Sequence, residues 1–201
     1  MRYLAAIVLL VLVNVAAHAG EASSLQERAD YFDAVQIANR FLRCVDQAAN
    51  ADDDPAAVQA AIGCFDGVNA ASFSITIDGV DGSATFPNPA AFNAFATGPA
   101  NLVRTNVSLL PGTYNALDFR RRTDSAGRSV DLSTVLTIVQ NIDLPNPVFG
   151  RMLGGQIVRG VIRFTVTEVE RNTWRITRSR FTVLALESGL DIQFLPNPAA
   201  Q

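Results

Sequence analysis

Two hydrophobic periods divide this chain. Leu25, Ala29, Phe32, Val35, Phe41, Val45 and Ala48 recur at three-to-four spacing, with Asp33, Gln36, Arg40, Arg43 and Asp46 largely on the other side. That is the pattern of an amphipathic helix. Ser24-Leu25-Gln26-Glu27 forms a capping box that would open it. A second helix is predicted from Asp54, as N-cap with Pro55 at the first helical position, to about Phe65, stopping near Gly67. From Ala71 the period falls to two. Phe73, Ile75 and Ile77 alternate with Ser74, Thr76 and Asp78, a turn follows over residues 79–82, and residues 83–86 form a short return strand. Asn88-Pro89 opens a short third helix over residues 89–96, which Gly98-Pro99 closes. Beyond it the pattern is nearly all strand, over residues 102–110, 113–122, 129–142, 157–171 and 173–186. Pro111-Gly112, residues 124–127 and Asn172 are the turns, and residues 143–155 form a longer loop rich in Pro and Gly. Helices followed by long strands predict one α+β domain, with a curved antiparallel sheet wrapped around two to three helices.

The segment ahead of the first helix follows a different logic. Arg2 supplies a positive start, residues 4–13 are an apolar run short for a bilayer, and Ala17-His18-Ala19 is a small-x-small cleavage site. Residues 1–19 therefore read as a secretory signal peptide and residues 20–201 as the mature domain, secreted or periplasmic. An uncleaved anchor is the alternative. Cys44 and Cys64 fall on the two consecutive helices, and in an exported chain they are expected to pair as a disulfide, with two buried free thiols as the alternative.

Composition narrows the chemistry. The formal charge is −3, and loss of Arg2 with the leader makes it one unit more negative. Such a balance argues against nucleic acid as a partner. No later run approaches membrane length, so no membrane contact is expected after cleavage. The chain has no lysine, and its single histidine, His18, leaves with the leader. The commonest general base, the commonest metal ligand and the Schiff-base nucleophile are thus missing. Two thiols without histidine leave a metal shell incomplete, and Asp52-Asp53-Asp54 lacks the spaced ligands of a calcium loop. No metal and no cofactor is implied. Any reaction must run on Asp, Glu, Tyr, Arg, hydroxyls and backbone amides.

The helix pair leading into Cys64-Phe65-Asp66, the strand end Ile75-Thr76-Ile77-Asp78-Gly79, and the stretch from Asn172 through Trp174-Arg175-Ile176 to Arg178 and Arg180 resemble the nuclear transport factor 2-like superfamily. Its SnoaL-like, ketosteroid isomerase and scytalone dehydratase branches share a cone-shaped fold. The resemblance implies an apolar cavity that binds or processes a small hydrophobic molecule. It also implies pairing into a homodimer through the outer sheet face.

Three constellations could act in such a cavity. Asp78 matches the proton-shuttling carboxylate of the isomerase branch, and an apolar cavity would raise its pKa; the plainer reading is that it starts the Asp78-Gly79 turn. The oxyanion-holding tyrosine of that branch would fall near Phe41, which has no hydroxyl, while Tyr31 lies about three turns earlier. Tyr114, Asp118 and Arg120 share a strand side by alternation, and Arg163 could meet Asp118; outward, they would be cross-strand charge pairs. Arg178 and Arg180 share the phase of Trp174 and Ile176, whereas Phe181, Val183 and Ala185 carry the apolar phase afterwards. That change implies a β-bulge. Arginines turned inward would suit an anionic ligand, and arginines turned outward would form a solvated ladder. Asn106-Val107-Ser108 is a glycosylation sequon within a predicted strand. The reading is an exported small-molecule-binding protein with SnoaL-like lyase, isomerase or hydrolase activity through aspartates, Asp78 and Asp118, and arginines. The alternative is a non-catalytic carrier, or an assembly subunit like the small subunit of ring-hydroxylating dioxygenases.

Overall fold

In a computed structural model of the chain, the backbone is described for residues 2–51, 54–79, 82–97, 104–121, 127–146 and 150–195. Side chains are described for residues 25–51, 54–79, 82–97, 107–119, 127–140 and 155–187. Ten elements follow in the order α1 (Arg2–Ala49), α2 (Pro55–Asp66), β1 (Asn69–Asp78), β2 (Ser83–Phe86), α3 (Pro89–Ala96), β3 (Arg104–Pro111), β4 (Asn115–Arg121), β5 (Arg128–Asn146), β6 (Gly150–Glu170) and β7 (Thr173–Leu195). The class is α+β, with three helices and a curved, unclosed seven-stranded sheet.

Strand order is β2-β1-β7-β6-β5-β3, and β4 also pairs with β5. All neighbours are antiparallel except β1 and β7, which run parallel. Register shifts in β1, β3, β4 and along β6–β7 bend the sheet, because each extra residue raises the local twist. Gly160 is needed at the register shift of the β6–β7 pair: a Cβ there would lie 2.4 Å from the Thr182 carbonyl and 2.6 Å from the Phe181 ring.

Local chemistry sets the helix starts. Asp54 accepts the Ala56 amide at 2.9 Å with Pro55 behind it, and Asn88 accepts the Ala91 amide at 2.8 Å with Pro89 behind it. The Ser24 capping box does not open α1, which runs unbroken from Arg2. Residues 2–19 are rich in Ala and Leu, so helix propagates through them without a breaker and Ser24 becomes an interior position. At the other end of the molecule the pairing also outruns the pattern. β5 and β6 pair from Ser129–Thr167 to Asn146–Gly150, and β7 continues to Leu195. Most of the expected loop over residues 143–155 is therefore strand, because each backbone group paired in a long hairpin outweighs weak local propensity.

The helices lie on one sheet face around an aromatic centre. The ring of Phe41 (α1) stands 5.7 to 5.9 Å from those of Phe65 (α2), Phe73 (β1), Phe92 (α3) and Phe164 (β6). Cys44 and Cys64 form a disulfide, Cα to Cα 5.5 Å, that pins α1 to α2.

Candidate functional site

Next to the aromatic centre the core does not close. A cavity of about 390 Å³ remains between the helices and the sheet, lined by Leu42, Val45 and Ala49 of α1, Phe92, Phe95 and Ala96 of α3, and inward residues of β1, β3, β5, β6 and β7. Strand alternation explains the lining: Leu132, Thr134 and Leu136 are buried along one face of β5, and Ile138 and Gln140 continue that face into the cavity. Among the described residues that line it, Gln140 and its cross-strand partner Gln156 are the only polar ones. The Gln140 amide nitrogen donates to the Gln156 carbonyl oxygen.

Of the residues singled out from the sequence, Phe41 lines this cavity. Asp78 does not. It sits on the opposite face of β1 from Ile77, accepting from Arg180 Nε at 2.7 Å, Ser83 Oγ at 2.9 Å and Thr182 Oγ1 at 3.1 Å. Its pKa is lowered, first by the Arg180 hydrogen bond and then by that of Ser83. The expectation of a raised carboxylate pKa fails, because Asp78 faces a cation and solvent instead of apolar walls. Ser83 also shows that Asp78 closes the β1–β2 turn, the plainer reading of this residue.

The mid-strand bulge falls at Thr177, which is left without a cross-strand partner between the Thr165–Arg178 and Val166–Ile176 pairs. Its hydroxyl donates to the Thr165 carbonyl at 3.2 Å. The extra residue keeps Trp174 and Ile176 buried and sends Arg178 and Arg180 to the outer face, where the side chain of Arg180 is 61% exposed. With Arg163 they border a shallow outer hollow of about 220 Å³ that also includes Leu117 and Asp131. The arginines therefore do not offer an anion site in the apolar cavity. Asp118 is exposed and stands opposite Asp131. Tyr114, Asp118 and Arg120 do not keep one alternation, because a register shift between Ala116 and Asp118 interrupts it. The Arg120 and Asn106 side chains lie outside the described residues, as do residues 196–201.

Tyr114 is buried and serves the frame. Its hydroxyl donates to Asn39 Oδ1 at 3.0 Å, while the Tyr31 hydroxyl donates to the Tyr114 carbonyl at 2.9 Å. Burial pushes the Tyr114 phenol up to about 12, so it stays protonated. Trp174 is buried beneath the Arg128 guanidinium, 5.5 Å from its ring centre.

Three features were not singled out from the sequence. The first is the Gln140–Gln156 pair; Gln140 continues the apolar phase of β5, and a polar residue in an inward phase was the available signal. The second is an ionic latch. Arg128 holds Glu168 through two hydrogen bonds of 2.8 and 2.9 Å and Asp30 through one of 2.7 Å, tying α1 to the β5–β6 pair. The Arg128 hydrogen bonds take the Glu168 carboxyl down to about 2 despite its burial, with help from the Asn172 amide. Gly127, at φ 71°, passes so close to Glu168 that a Cβ would lie 2.1 Å from its carbonyl oxygen. The third is Asn50, whose side-chain amide accepts from the Val107 N–H at 2.9 Å and donates to its carbonyl at 2.8 Å. It fastens the end of α1 to the bulge of β3, beside the cavity. Asp46, between the cavity-lining Val45 and Ala49, has its pKa raised by burial, opposed by a hydrogen bond from the Leu109 backbone.

No protein-family model and no curated protein matches the chain. Among solved structures it is similar to a provisionally assigned aromatic ring hydroxylase from Novosphingobium aromaticivorans, with TM-score 0.58 and 13% identity over 81% of this chain and 95% of that one. A type 2 hexachlorocyclohexane dehydrochlorinase (LinA) gives TM-score 0.53 and 11% identity, covering 87% of this chain and 96% of its own. The type 3 enzyme of Novosphingobium barchaimii gives 0.52 and 10%, covering 86% and 96%. Likeness at this level of identity is a likeness of fold: the chain shares with these structures its α+β fold of helices against a curved sheet.

Proposed function

We propose that this chain is an exported protein that binds a small hydrophobic molecule in the cavity between its helices and sheet. The cavity itself carries the reading: about 390 Å³, its described lining apolar except for two glutamines, in the size range of small-molecule sites. Each Å² of apolar ligand surface removed from water contributes about 25 cal/mol. The leader pattern of residues 1–19 and the Cys44–Cys64 disulfide support export.

Binding without turnover is favoured over a lyase, isomerase or hydrolase acting through Asp78 and Asp118. The fold does host catalysis, as in the hexachlorocyclohexane dehydrochlorinase. Here, however, Asp78 is held ionised by Arg180 on the face away from the cavity, and Asp118 is exposed on β4. Native mass spectrometry of protein purified from its source is the test. The expected result is residues 20–201 with one disulfide and a co-purified apolar molecule. The Asp78→Asn and Asp118→Asn variants are expected to keep the ligand. An empty protein that also fails to bind the neutral apolar dye Nile red would end this reading.

A second reading, self-association through the outer sheet face, rests on a separate observation. Leu184, left over at a bulge between the Arg159–Ala185 and Gly160–Val183 pairs, is 68% exposed, and Val135 is 55% exposed. Sedimentation of the mature protein is expected to show a dimer that Leu184→Asp dissociates. A monomer at all concentrations would refute it.

A further inference from the structure

Resting on the binding reading above, we infer that the ligand is uncharged and carries one group that both donates and accepts a hydrogen bond, such as a hydroxyl or an amide, held by Gln140 and Gln156. A primary amide has one carbonyl acceptor and two N–H donors. One hydrogen bond between two such amides uses a single N–H and a single carbonyl. Whichever way the two are turned, one carbonyl oxygen and one NH2 group are left over. In this structure they are Gln140 Oε1 and Gln156 Nε2, and neither has a hydrogen-bond partner among the described residues. Gln140 is only 4% exposed and Gln156 is half-buried, so what these groups meet is chiefly the cavity.

Both side chains reach the cavity from neighbouring positions on β5 and β6. A donor and an acceptor, side by side on one wall, therefore face a space whose other described lining residues are apolar. A bare hydrocarbon would take the place of water beside both groups and return no hydrogen bond to either. A hydroxyl can accept from Gln156 and donate to Gln140 at once. The described lining also favours a neutral ligand over a charged one. No arginine is among the described lining residues, and a carboxylate buried without a cation is far more costly than a neutral group. The anionic ligand that inward arginines would have suited is thus replaced by a neutral one.

The test displaces Nile red from the full mature protein with octanol, its methyl ether and octanoate, in wild type and in Gln140→Leu/Gln156→Leu. Wild type is expected to bind octanol about tenfold more tightly than the ether, which cannot donate, and octanoate most weakly. The double variant is expected to lose the octanol preference and still bind the dye. Equal binding of octanol and ether by wild type, or tightest binding of octanoate, overturns this inference and leaves the binding reading standing. No dye bound and none displaced overturns the binding reading itself. Should the double variant fail to fold, Gln156→Asn, which withdraws the amide by one methylene, is expected to weaken octanol alone; an unchanged octanol affinity would overturn the inference.

Discussion

Arg128 concentrates more of the fold on one side chain than any other charged residue described here. It satisfies two carboxylates, Glu168 and Asp30, and covers Trp174. Breaking a buried pair leaves the partner charges without compensation, so Arg128→Met is expected to cost about 3 kcal/mol in a urea melt. The pH dependence has a definite sign. The Glu168 carboxyl lies at about 2 in the folded chain against an ordinary 4.5, so the unfolded chain binds more protons between those values. The stability that Glu168 contributes is complete above about 4.5 and is lost as pH falls toward 2. Glu168→Gln is expected to lower stability at neutral pH and to flatten its acid dependence across that window. Equal acid slopes in the two proteins would show that the latch contributes nothing. None of this was legible in the sequence: Asp30 and Arg128 are 98 positions apart, and charge on an amphipathic surface gives no sign of its partner.

Among the elements, α1 and α2 show how sequence and structure share the work. Helix spacing, the Asp54 and Asn88 caps and the prolines behind them are local signals, and the structure uses each of them. The disulfide joins the two helices across 20 positions, and a loop of that length contributes about 3 kcal/mol. Cys44→Ser/Cys64→Ser is therefore expected to lose about that much in equilibrium denaturation, and reduction of the wild type is expected to match it. A loss confined to the variant would point to packing instead of the cross-link. The strands were legible in phase more than in extent. The change of phase beyond Ile176 implied a bulge, and one falls at Thr177; yet the sequence left open which way Arg178 and Arg180 would turn. That direction follows from Thr177 being the unpaired residue, which depends on β6 and not on β7 alone.

For the whole molecule, the open space beside Phe41 is the feature on which function depends. A cavity is a loss of packing, so a larger side chain that fits it is expected to stabilise the protein while excluding ligand. Ala96, buried on α3 and lining the cavity, is the position for this. Ala96→Leu is expected to raise the melting temperature by a few degrees and to abolish Nile red binding. A lower melting temperature with unchanged dye binding would mean that the space beside α3 is not where the ligand sits. Conversely, ligand at one hundred times its Kd is expected to stabilise the wild type by about 2.7 kcal/mol.

The sequence by itself determined the α+β class, the starts of α2 and α3, the alternation of the strands and the two cysteines that pair. Each of these is written in residues close along the chain or in a period of two or 3.6. Only the tertiary structure decided that Asp78 turns to Arg180, that the arginines face outward, and that Gln140 meets Gln156 in an apolar space. Those outcomes depend on register, and register is set by pairing between strands: a single extra residue reverses every side chain beyond it.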